Sequence, residues 1–113
     1  MKIQQIVEEL GATPLYIPSG WEDLEIGSVF ASDLISDILV SEGEDQLLLT
    51  SLTSTQVVRT AALVGAIAII LVHRRQAPPE MEAAARDQEI SLFCSAVTKF
   101  DACVRVGRLK DSL

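Results

Sequence analysis

The run Ala61-Ala-Leu-Val-Gly-Ala-Ile-Ala-Ile-Ile-Leu-Val72 carries no polar side chain and constrains the fold most. A membrane-spanning helix needs about 20 apolar residues, and this run has 12, bounded by Arg59 and His73-Arg74-Arg75. Its character also changes inside. Residues 53–65 hold Ala, Gly and spaced Val, a helical composition, whereas residues 66–72 are Ala-Ile-Ala-Ile-Ile-Leu-Val. A short β-rich run without alternation suits a strand buried on both faces. Gly65 falls at the join, where a helix C-terminus favours it. The run therefore predicts a helix, a tight turn and a central strand.

The flanking segments extend the same logic. Ile3, Ile6, Val7 and Leu10 share one face of a helix over residues 2–10, closed by Gly11. Strands are expected at 13–17, 24–31, 46–50, 66–72 and 90–96, with a helical segment from Ser32 to Leu39. Thr53 and Gln56 stand at capping-box spacing before the helix that ends at Gly65. Pro78-Pro79 opens a helix over 79–89 with Met81, Ala84 and Ala85 inward, and Thr98 with Asp101 caps a last helix over 98–109. Apolar strands joined by helical crossovers make a parallel sheet. The expected fold is α/β, a small and mostly parallel sheet of about five strands with flanking helices, in one domain spanning residues 1–113.

Composition fits this. Apolar residues are 49% of 113, enough for a core, and aromatics are only 4%. The net charge of −7 argues against a nucleic-acid partner, which needs a basic face. Residues 1–50 carry ten acids and one base; residues 51–113 carry six acids and eight bases. Such asymmetry favours ordered self-association. Cys94 and Cys103 form no CxxC pair and read as two buried thiols. Lys2 leads directly into an amphipathic helix with no signal pattern, so the expectation is a cytoplasmic protein with no membrane partner.

Three groups are candidate sites. Ser32, Asp33 and Asp37 follow the second strand. With Ser32 as cap, Asp33 would meet the helix dipole, worth about 0.3–1 kcal/mol, and Asp37 would point the same way one turn later. Capping is the main reading; a polar ligand or partner contact, or a Mg²⁺ or Ca²⁺ ion, are the alternatives. Without a third acid at useful spacing, no metal and no cofactor are called for. The second group is Thr50, Thr53, His73, Arg74, Ser95 and Thr98, which should meet at the carboxyl ends of the strands, where open parallel sheets bind ligands. A small anion or nucleotide would suit it. The third lies on the last helix. Phe100, Cys103, Val104 and Gly107 form a stripe expected to face the sheet. Ala102, Val106 and Leu109 form a second stripe, expected to face out as a dimer interface.

The opening KIQQIVEELG helix, the strand running into SDLISDIL, the QLLLT strand, VVRTAALVGAIAIILV and the tail ISLFCSAVTKFDACVRVGRL together resemble the DRTGG domain family. That resemblance implies the fold shared by the N-terminal domains of HPr kinase/phosphorylase and of Mur ligases. The eponymous motif is thinly kept, with Asp23 at its Asp, Leu24 at its Arg, and Gly27-Ser28-Val29 at its Thr-Gly-Gly. Such modules accompany other domains, such as CBS domains in regulated pyrophosphatases, and support dimerisation and regulation. The chain has no GxxxxGK[ST] loop. The expected function is thus a non-catalytic regulatory module, a homodimer serving a protein partner. The alternative is a sensor for a small anionic ligand.

Overall fold

The computed structural model describes residues 1–112. Five strands, β1 (Thr13–Tyr16), β2 (Ser28–Ala31), β3 (Gln46–Thr50), β4 (Ala66–Leu71) and β5 (Ser91–Cys94), form one sheet in the order β1-β5-β4-β3-β2. β2 to β5 are parallel neighbours in chain order, and β1 adds antiparallel to β5 at one edge. The helices are α1 (Ile3–Leu10), α2 (Ile35–Leu39), α3 (Thr55–Leu63), α4 (Pro79–Gln88) and α5 (Lys99–Asp111). Among the described residues no helix is long and apolar enough to cross a membrane.

The apolar run divides as its composition predicts. α3 ends at Leu63, Gly65 takes a left-handed turn at φ 83°, and β4 follows. β4 needs no polar side because both its faces are covered. Ile69 and Leu71 pack with Ile38, Val57, Val58, Ala61, Met81 and Ala85 under α2, α3 and α4. Ala68, Ile70 and Val72 pack with Ile3, Ile6, Leu10, Ala102 and Val106 under α1 and α5. β3 divides its leucines the same way, Leu48 to the first layer and Leu47 and Leu49 to the second.

Several boundaries differ from expectation. β2 pairs only from Ser28, because the chain before it turns to meet the N-terminal segment, where Ile26 N–H donates to the Met1 carbonyl. Gly27 passes so close to the Glu44 carbonyl oxygen that a Cβ there would collide with it. The cap of α3 is Ser54, whose Oγ accepts from Val57 N–H, not Thr53. The cysteines separate: Cys94 is buried in β5, whereas Cys103 is exposed, so the pair is not two buried thiols.

The expected faces of α5 are reversed. Ala102 and Val106 are 0% and 3% exposed and lie in the α1/α5 layer, with Leu109 partly buried against it. Phe100 is 76% exposed and Cys103 is also exposed. Ala102 and Val106 are therefore core and do not form a dimer surface, and Leu109 lies at the edge of the same layer. The small Ala102 suits the close approach of the helix to the sheet.

Candidate functional site

Strands that run parallel deliver the residues after them to one end of the sheet. The β2–β3 register sets Ala31 against Leu49. Continued two residues, it brings Asp33 beside Ser51. Asp33 Oδ1 accepts from Thr50 Oγ1 at 3.0 Å and from Ser51 N–H at 2.7 Å. Its Oδ2 accepts from Ser51 Oγ at 2.7 Å and forms an ion pair with Lys99 Nζ. Thr50 Oγ1 in turn accepts from Leu52 N–H at 3.2 Å.

The network continues across β4 and β5. Lys99 opens α5, and its backbone N–H donates to His73 Nε2 at 3.0 Å. His73 stands at φ 61°, and its own N–H donates to the Val97 carbonyl at 2.9 Å. Arg74 donates from Nε and Nη2 to the Ser51 carbonyl, at 3.2 and 3.1 Å, while its N–H reaches the Ser95 carbonyl. All four parallel strand ends are thereby joined.

The electrostatics follow from these contacts. Burial alone would raise the Asp33 carboxyl. The Lys99 ammonium, then the Ser51 N–H and hydroxyl, then the Thr50 hydroxyl outweigh it and hold Asp33 far below the usual carboxylate range. Asp33 is thus an anion fixed by four donors, with its side chain 35% exposed against 29% for Lys99.

The expected site residues sort into different roles. Thr50, His73 and Arg74 join the network, and Thr50 is fully buried. Ser95 is buried and ties α1 to the sheet instead, its Oγ donating to the Leu10 carbonyl at 2.7 Å. Thr98 is the α5 cap, accepting from Asp101 N–H. Thr53 sits apart in a cleft with Arg74, Gln76, Ala77 and Pro78. A second cleft, on the β1 side, is lined by Thr13, Arg74, Arg75 and Ser95. Ser32 Oγ accepts from Leu34 N–H at 3.0 Å, but Ser32 and Asp33 both precede α2, which starts at Ile35. Asp33 therefore does not cap a helix; it turns to the β3 end. Asp37 lies in the first turn of α2 and is exposed, so the two carboxylates do not act as a pair. Among the described residues no three or more His, Cys, Asp or Glu gather as a metal site.

The Lys99 side chain is the group that sequence reasoning leaves out of the site, and the pairing of Ser51, a strand-end residue, with Asp33 is not foreseen. Lys99 did carry a signal. A cation in the first turn of a helix opposes the dipole, so it calls for an anion nearby. The counterparts of the DRTGG motif lie elsewhere. Gly27 and Ser28 stand at the amino end of β2 against Glu44, and the exposed Asp23 is 3.5 Å from Lys2 Nζ.

No protein-family profile matches the chain, and no curated protein matches it in sequence. Among solved structures, it is similar to the CBS and DRTGG domains of the regulatory region of Clostridium perfringens pyrophosphatase, complexed with its activator diadenosine tetraphosphate. The TM-score is 0.75 over 93% of this chain, at 13% identity. The match covers 45% of that longer chain. The likeness is one of fold: this chain has a DRTGG-like α/β fold, as the sequence resemblance implies.

Proposed function

We propose that this domain is a non-catalytic regulatory module, acting as a homodimer and serving a partner protein. One observation carries the reading: the polar side chains best placed for chemistry are consumed in holding strand ends together. Asp33 is too weakly basic to take a proton and stays ionised where an acid would need one. His73 Nε2, the lone pair a base would use, already accepts the Lys99 N–H. The acidic first half and mildly basic second half complement one another. Light scattering at tens of micromolar tests it. The expected mass is twice the 12.2 kDa of one chain, and 12.2 kDa itself would remove the homodimer.

A second reading, a sensor for a small anion such as a nucleotide, has its own support. Arg74 borders both clefts at the strand carboxyl ends. The structural neighbour is a regulatory region complexed with diadenosine tetraphosphate. Thermal shift with that compound and with mononucleotides tests it; a rise with one class supports the sensor, and none with any removes it.

A further inference from the structure

The donors around Asp33 have the make-up of an oxyanion site. A backbone N–H (Ser51), two hydroxyls (Thr50, Ser51) and an ammonium (Lys99) converge on one carboxylate. The Arg74 guanidinium, on the Ser51 carbonyl, adds a second positive charge beside them. Donors of this kind, gathered from strand ends, commonly face a bound phosphate or carboxylate. Here the chain supplies its own anion. We propose that Thr50, Ser51 and Lys99 form a binding site for a phosphoryl group, and that Asp33 is its tethered occupant.

Asp33 lies at an edge of the sheet, between an edge strand and a short helix. β2 is an edge strand paired over four residues, and α2 has only five. Apart from the bonds to Asp33, the loop between them is held by Ser32, whose N–H donates to the Leu49 carbonyl and whose Oγ accepts from Leu34 N–H. Elements at a sheet edge open at lower cost than the central strands. A phosphorylated ligand that displaced Asp33 would free β2 and α2 while the β3, β4 and β5 ends kept their bonds. The site would then be autoinhibited, and ligand entry would be read as a change at the β2 edge. This inference rests on the sensor reading for its biological meaning, though not for its test.

The test is thermal shift of the full chain with inorganic phosphate, using chloride at matched ionic strength as control. Asp33→Ala vacates the site. Its melting temperature should rise by about 5 °C at a tenfold excess of phosphate over the dissociation constant. Wild type should not move over the same range, and Asp33→Ala/Lys99→Met should lose most of the rise. If Asp33→Ala is unfolded in phosphate-free buffer, the same titration reads recovery of the helical circular dichroism signal. The proposal is overturned if phosphate neither stabilises nor refolds Asp33→Ala, if wild type responds equally, or if the double variant responds as the single one does. Failure of the sensor reading looks different: wild type unmoved by any nucleotide while Asp33→Ala still binds phosphate.

Discussion

Lys99 and Asp33, 66 residues apart in sequence, form an ion pair that joins the start of α5 to the end of β2. The pair also accounts for the orientation of α5. Lys99, Ala102 and Val106 stand at helical spacings of three and four, so they share one face. The face that delivers Lys99 to Asp33 is the face that buries Ala102 and Val106.

That orientation predicts a contrast between substitutions. Val106→Glu places a charge where the side chain is 3% exposed. It should unfold the domain or cost about 3 kcal/mol or more, as buried unpaired charges do. Phe100→Glu, at 76% exposure, should stay folded and change stability by about 0.5 kcal/mol or less. Urea denaturation followed by circular dichroism checks both. Equal losses would mean that the faces are wrongly assigned.

Two glycines should respond oppositely to alanine. At Gly27 a Cβ would meet the Glu44 backbone oxygen, which cannot swing aside as a side chain can, so Gly27→Ala should cost about 1–3 kcal/mol. Gly107 lies inside α5 with open space around its Cβ position. Gly107→Ala should add about 0.5–1 kcal/mol through helix propensity. Urea midpoints read both changes.

Acid should reveal Asp33. Its folded-state value lies below its ordinary 3.8, so in acid the folded chain binds fewer protons than the unfolded one. The stability it contributes is present above the unfolded value of about 4 and is lost as pH falls from there toward the folded value. With the side chain 35% exposed, solvent screening limits the contribution to about 1 kcal/mol. The difference in stability between wild type and Asp33→Asn should therefore shrink steadily below pH of about 4. A difference that holds constant from neutral pH to about pH 2 would contradict it.

The fold was legible because its signals are local. Apolar runs in β3, β4 and β5 and the crossover helices between them predict neighbouring parallel strands, and these are neighbours. The Asp33 site was legible only in part. Placing Asp33 beside Ser51 depends on the β2–β3 register, and reaching Lys99 depends on which way α5 rolls. Both are tertiary facts. The two apolar stripes of α5 are too alike for periodicity to choose between them, whereas the dipole cost of a lysine at the first position points to the buried side.

The central claim, that Asp33 is held structurally by a specific set of donors, is tested most directly by a double-mutant cycle. Asp33→Asn, Lys99→Met and the double variant are compared by urea denaturation at neutral pH. Asp33→Asn alone should cost about 1–2 kcal/mol, because it weakens charge-assisted bonds from Lys99, Ser51 and Thr50. The coupling between the two positions should be about 0.5 kcal/mol or more, within the range of a partly exposed ion pair. Strict additivity, with a coupling of about zero, would contradict the account.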